Sequence, residues 1–143
     1  MNTRDVFNSP VEIGARIAVL LVGLGEKVGL DDLVYYDYAA TYSQDFQGNS
    51  SLHPALMNRL AELVRRREIF PQAIKLYVSK GLIASRIDES GVRYYATPNG
   101  TEFVHRLNSE YHVNLKGCAY WVSENIDHLN SLRRNLYKFD REA

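Results

Sequence analysis

The run Arg65-Arg66-Arg67-Glu68 places three adjacent guanidiniums on one stretch of chain. Arginines so grouped can pair with carboxylates, grip phosphates, or form a solvated basic face. Successive helical positions point about 100° apart, so the three cannot share one task. Asp37 sits in a segment carrying Tyr35, Tyr36, Tyr38 and Tyr42. A carboxylate among such rings is either exposed or paired with a cation, because burying it alone is costly. Tyrosines at this density line a helix–helix core with their hydroxyls at the rim, or in part face outward as a docking surface. Gln72, Lys75, Ser79 and Lys80 occupy the polar side of a short helix, and Arg86 and Arg93 follow in a hairpin. Those six are the candidates for DNA contact.

Other chemistries find less support. His105 and His112 are seven apart and could share a helix face, but no nearby Cys or Asp/Glu set completes a zinc site with them, nor with His53 or His128. No metal and no cofactor are expected. Cys118, flanked by Gly117 and Ala119 in a helical pattern, reads as a small core thiol rather than a nucleophile. As the sole cysteine it excludes an internal disulfide and fits a reducing cytosol. Gly23-Leu24-Gly25 follows an apolar run, yet the third glycine of a dinucleotide fingerprint is misplaced and no lysine stands where a phosphate loop needs one. It reads as a helix end and a turn. Neither a glycine-bracketed serine nor a placed acid/base pair appears, so the chain reads as a binding module and not an enzyme.

The elements that must position these residues follow from spacing. Pro71 suits the first turn of a helix whose apolar positions are Ala73, Ile74, Tyr77 and Val78, and Gly81 ends it. Leu82–Ile87 alternates, Asp88-Glu89-Ser90-Gly91 turns, and Val92–Ala96 returns. Thr97-Pro98 caps and opens another helix, carried onward by Phe103, Val104 and Leu107. Helix, glycine, hairpin and Thr-Pro helix in this order resembles the recognition helix and wing of a winged helix-turn-helix domain.

Upstream, Met1 to Asn8 reads as a short extended arm. Ser9-Pro10-Val11-Glu12 is a capping box. It starts a helix, with Val11, Ala15, Ile17, Ala18, Leu20, Leu21, Val22 and Leu24, that is apolar almost all round and therefore central. A second helix spans Leu30 to Ser43, with Asp31 and Asp32 at its positive end. Gln44 to Pro54 is a polar loop, and Pro54 opens a third helix whose Leu60, Leu63 and Val64 share a face. The last helix runs from Glu110 to about Tyr137. Its stripe of Leu115, Ala119, Val122, Ile126, Leu129 and Leu136 is narrow and coiled-coil-like, with Trp121 off it. Such a stripe either packs back on its own domain or pairs with a partner, a second copy included.

The expected fold is therefore mainly α with a small β-hairpin wing. It is a winged helix-turn-helix with extra N-terminal helices and a long C-terminal helix. One domain covers residues 1–143, divided into acidic helices over 1–54, helix-turn-helix and wing over 55–108, and the last helix over 109–143. With 143 residues, 45% hydrophobic, the chain can build a real core. Zero net charge argues against a dedicated DNA binder. The charge is uneven: residues 1–54 carry 3 Lys/Arg against 7 Asp/Glu, and residues 55–143 carry 14 against 10. No signal peptide is visible, and the apolar run from Ile17 to Leu24 is too short to span a bilayer, so a cytoplasmic protein without membrane contact is expected.

Six blocks resemble one family: FNSPVEIGAR at Phe7–Arg16, LDDLVYYDY at Leu30–Tyr38, SLHP at Ser51–Pro54, LVRRRE at Leu63–Glu68, KLYVSKGLI at Lys75–Ile83 and SEYHVNLKGCAYWV at Ser109–Val122. Together they look like the middle component of ABC-three-component systems, a group that includes Lamassu-type anti-phage defence. The resemblance covers Phe7 to Val122 and leaves out the tail after Asn125. It implies a non-catalytic accessory subunit that sits on an SMC/Rad50-like ABC ATPase and couples it to an effector such as a nuclease. Double-stranded DNA would be met weakly or only within the complex. Candidates for partner contact are Tyr36, Asp37, His53, Arg65, Arg66, Arg67, Val122, Ile126 and Leu129. The alternative is an autonomous winged-helix transcription regulator that reads DNA through the six polar residues named above.

Overall fold

The computed structural model describes residues 9–42 and 59–133. The expected N-terminal arm, the loop with His53, Pro54 as a helix start, and Leu136 all lie outside the described residues.

Helix α1 (Pro10–Leu24) is the centre of the fold. The Ser9 side chain accepts the Glu12 N–H at 3.2 Å, and proline at the first position gives up no hydrogen bond. Every residue from Ile13 to Leu21 is buried, because α1 is surrounded by the other helices and one strand of the hairpin. Gly25 ends it at φ 67°, with its N–H on the Leu21 carbonyl at 3.0 Å. The Gly-Leu-Gly stretch is thus a helix end. Val11, counted with the apolar face, is exposed.

Val28 then makes a one-residue antiparallel bridge to Tyr94, and helix α2 (Leu30–Thr41) follows. Asp31 and Asp32 lie in its first turn, as expected, and its body from Leu33 to Thr41 is buried throughout.

Helix α3 (Arg59–Ser79) departs from expectation. The break placed before Pro71 is absent, and one helix runs through the proline. Proline inside a helix removes the bond to the carbonyl four residues back and clashes with it, at a cost of about 3 kcal/mol. Here Pro71 and Arg67 are both exposed, so water can satisfy the freed carbonyl. The opposite face buries Leu63, Arg66, Phe70, Ala73, Ile74 and Tyr77 at helical spacing, and that continuous burial holds the two halves in line. Val78, expected on the apolar side, is exposed. Gly81 (φ 75°) closes α3 with a Schellman pair, Gly81 N–H to Val78 O at 2.9 Å and Leu82 N–H to Tyr77 O at 3.0 Å.

Strands β1 (Ile83–Asp88) and β2 (Gly91–Ala96) form the antiparallel hairpin that the alternation predicts. Asp88 opposes Gly91 across a two-residue turn, and the Asp88 carboxylate accepts the Ser90 N–H at 2.8 Å. Thr97 then caps helix α4 (Pro98–Arg106), its hydroxyl accepting from Gly100 N–H and donating to the Gly81 carbonyl at 2.6 Å. A Cβ on Gly100 would lie 2.0 Å from the Leu82 carbonyl oxygen, so only glycine lets α4 start against the α3–β1 junction.

Helix α5 (Glu110–Glu124) starts on the Ser109 cap and stops at Asn125, and a further helix, α6, occupies 126–133. The single long helix expected here is therefore broken. Leu115, Ala119, Val122 and Leu129 are fully buried against the core, so the stripe packs back on this chain. Ile126 is half-buried against the same core.

Among the described residues no helix is long and apolar enough to cross a membrane. The closest packing in the centre is between α1 and α3. A Cβ on Gly14 would fall 2.1 Å from the Tyr77 ring, and the Tyr77 hydroxyl donates to Val11 O at 2.7 Å. Gly14→Ala is therefore expected to destabilise the chain by about 1–3 kcal/mol through overpacking, despite alanine's better helix propensity. Urea denaturation followed by circular dichroism measures it, and an unchanged or higher midpoint would contradict this packing.

Candidate functional site

Asp37, in the middle of α2, is completely buried. Its Oδ1 accepts Arg16 Nε at 3.0 Å, and its Oδ2 accepts from a terminal nitrogen of Arg16 at 3.1 Å and of Arg66 at 2.5 Å. Arg16 comes from α1 and Arg66 from α3, so one carboxylate ties three helices together. Arg66 also donates to Glu62 at 3.1 Å and to the Thr41 hydroxyl at 3.0 Å, and its guanidinium lies 5.2 Å from the Tyr42 ring centre and 5.8 Å from that of Tyr38. Arg16 and Arg66 are 1% and 3% exposed, so these charges have left water and are held by mutual pairing. Burial works against the Arg16 charge, but the Asp37 carboxylate outweighs it and the guanidinium stays ionised. Burial also pushes Tyr111, beside Arg16, up to about 12, so its hydroxyl stays neutral.

The three arginines divide as helical geometry requires. Arg65 turns to Glu62 at 2.6 Å on the half-exposed flank, Arg66 points inward, and Arg67 pairs with Asp31 of α2 at the surface. Ion pairing with the acidic N-terminal part is the use that two of them find. A second tie lies beside it: Arg133 of α6 donates to Asp32 at 2.6 Å and stacks 4.9 Å from the Tyr35 ring centre. The Tyr35 hydroxyl donates to the Leu129 carbonyl, and the Tyr36 hydroxyl to Asn130 Oδ1 at 3.1 Å.

These positions revise several partner-contact candidates. Tyr36, Asp37, Arg66, Val122 and Leu129 are buried and serve the interior of this chain. Arg65 and Arg67 remain at the surface, Ile126 is half-buried, and His53 lies outside the described residues. Tyr35, Tyr36 and Tyr38 of α2 and Tyr42 at its C-terminal cap are all buried, so of the two uses expected of these rings the core lining is the one observed.

The DNA-contact candidates lie at the surface. Gln72, Lys75 and Ser79 are exposed at three- and four-residue spacing along one line of α3, and Lys80 and Arg86 are exposed beyond it. Arg93 opposes Arg86 directly in the ladder, but it turns to Asp88 at 3.3 Å and to the Ser90 hydroxyl at 2.9 Å. Bonds from Ser90 and the neighbouring Arg93 charge hold the Asp88 carboxyl below its ordinary value. A groove of about 670 Å³ runs between the end of α1 and this hairpin face, lined by Glu26, Lys27, Asp88, Arg93, Tyr95 and Thr101 among others. Its charged lining is two cations against two anions, so it selects no sign of ligand.

His105 and His112 fall on different helices, separated by the break at 107–109, so they share no face. Among the described residues no three of His, Cys, Asp and Glu gather as a metal site. Burial raises the Cys118 thiol, which favours the unreactive protonated form.

Arg16, Glu62, Thr41 and Arg133 were not anticipated. Arg16 did carry a signal: it is the one charge between Glu12 and Glu26 in an otherwise apolar helix, and a buried cation there requires a carboxylate in another element. Asp37, equally isolated in its aromatic run, is that partner.

The family model for the ABC-three component (ABC-3C) system Middle Component 2 matches residues 6–139. That match takes in the residues after Asn125, which the resemblance of the six blocks had left out. No curated protein and no solved structure matches the chain.

Proposed function

The chain belongs to the Middle Component 2 family of ABC-three-component systems, and on that premise we propose that it is a non-catalytic accessory subunit bridging an SMC/Rad50-like ABC ATPase and an effector in cytoplasmic anti-phage defence of the Lamassu type. The family match over nearly the whole chain carries this reading. The interior supports it: Asp37, Glu62, Arg16 and Arg66 are occupied in pairing helices with each other, a use that makes a rigid scaffold rather than an acid–base centre. The order α1, Val28 bridge, α2, α3 and hairpin supports a winged-helix architecture in which α2 and α3 form the helix pair and β1–β2 the wing. Co-expression with the other two components of the system, followed by mass measurement of the purified assembly, tests it. The expected result is a complex containing this chain and the ATPase. Migration of the chain alone, or ATP or nucleic-acid turnover by the isolated chain, would sink the proposal.

The exposed line Gln72, Lys75, Ser79 with Lys80 and Arg86 favours a second role in touching DNA. Zero net charge and the Arg93–Asp88 pairing keep that contact weak. Fluorescence anisotropy is expected to give a Kd of roughly 10⁻⁴–10⁻⁶ M for any duplex, weakening steeply with salt. Nanomolar, sequence-selective binding at physiological salt would instead favour an autonomous regulator.

A further inference from the structure

Helix α5 has two different faces. Leu115, Ala119 and Val122 point into the core. On the opposite side Glu110, Val113, Gly117, Tyr120 and Glu124 form one line at three- and four-residue spacing, all exposed. Val113 is 55% and Tyr120 65% exposed, so two large side chains of apolar character face outward on one stripe. Gly117 lies between them in mid-helix, where glycine weakens a helix relative to any ordinary residue. No backbone demand explains it, because Gly117 is absent from the positive-φ glycines. No packing demand explains it either, since a Cβ there would meet nothing within 4 Å. Among the described residues, Gly14, Gly23 and Gly100 each accommodate a close neighbour, and Gly117 accommodates none.

We propose that the Val113–Gly117–Tyr120 face of α5 is a docking surface for a helix of another chain, with Gly117 letting the two backbones approach and with lysines or arginines flanking the contact on that helix. This rests on the subunit reading above. The charge pattern selects the occupant. Glu110 and Glu124 stand at the two ends of the stripe, seven residues either side of Gly117. An antiparallel pair of copies centred on Gly117 would set Glu110 against Glu124 at both ends, and a parallel pair would set each against itself. Like charges so opposed are destabilising, so a second copy is disfavoured. The one lysine or arginine within α5, Lys116, is drawn away to the Leu107 carbonyl at 2.7 Å. A partner helix with a small or apolar centre and a cation near each end meets both the space and the charge.

The experiment uses the tagged full chain co-expressed with the ATPase and the other component of its system, and reads retention of each after washing. Gly117→Leu is expected to raise the Tm of the isolated chain by about 3 °C, from improved helix propensity, while retention of one component falls about tenfold or more. Glu110→Lys with Glu124→Lys should also weaken retention, and the wild-type complex should be salt-sensitive where this variant is not. Undiminished retention with Gly117→Leu would overturn the docking face alone and leave the subunit reading standing. A wild-type chain that retains neither component would overturn both. A wild-type homodimer that Gly117→Leu converts to monomer would make the occupant a second copy and overturn the hetero-chain assignment. Should Gly117→Leu lower the Tm, Tyr120→Ser decides: lost retention upholds the face, and full retention rejects it.

Discussion

Asp37→Asn is expected to destabilise the isolated chain by about 3–5 kcal/mol, since it leaves two buried guanidiniums facing a neutral amide. That is a large share of the roughly 5–15 kcal/mol that holds a domain folded. The substitution keeps size and shape, so the loss would come from charge and hydrogen bonding and not from a cavity. Thermal denaturation should show a Tm lowered by about 10–20 °C. Replacing the buried ionic triad with apolar residues of similar volume, Arg16→Met, Asp37→Leu and Arg66→Met together, should recover much of the loss, because nothing charged is then stranded at the junction of α1, α2 and α3. Glu62 keeps Arg65 as a partner in that variant. A milder effect of Asp37→Asn, below about 1 kcal/mol, would mean that water reaches the cluster and that the carboxylate is not the tie between the three helices.

The same cluster shows what could be read from the chain alone and what could not. The caps and turns were legible because each is a local event. Ser9-Pro10, Gly25, Gly81, Asp88–Gly91 and Thr97-Pro98 all act within a few residues, and all stand where their side chains or missing Cβ atoms require. The division of Arg65, Arg66 and Arg67 was legible in kind, since helix geometry alone sends neighbours in different directions. Their partners were not, because Asp37 lies 29 residues before Arg66 and Asp31 still further before Arg67, and the pairing is made by the packing of α2 on α3. Pro71 misled for a related reason. Its local cost argues for a break, and the burial of Leu63, Arg66, Phe70 and Tyr77 on one continuous face overrides that cost. The DNA-contact candidates were read as the polar side of α3 and the hairpin, and five of the six are exposed. Partner-contact candidates fared differently, because aromatic, charged and apolar residues that look available in a motif can be consumed by the interior.

The C-terminal stripe was the least decidable, and its two uses predict opposite outcomes. A narrow apolar seam can serve a partner or the chain itself, and periodicity is the same in both cases. Burial separates them: Val122 and Leu129 are both 0% exposed, and the Leu129 carbonyl accepts the Tyr35 hydroxyl. Val122→Asp would therefore put an unpaired carboxylate in the core and is expected to cost about 3–5 kcal/mol or to abolish folding of the isolated chain. Tyr120→Asp, two positions away on the opposite face, is expected to change stability by no more than about 0.5 kcal/mol. Far-ultraviolet circular dichroism and denaturant midpoints of the two purified chains make the comparison without any partner present. A folded Val122→Asp chain of unchanged stability would return the seam to a partner. A Tyr120→Asp chain as damaged as Val122→Asp would mean that α5 is covered on both sides, and the outward face would then belong to the core as well.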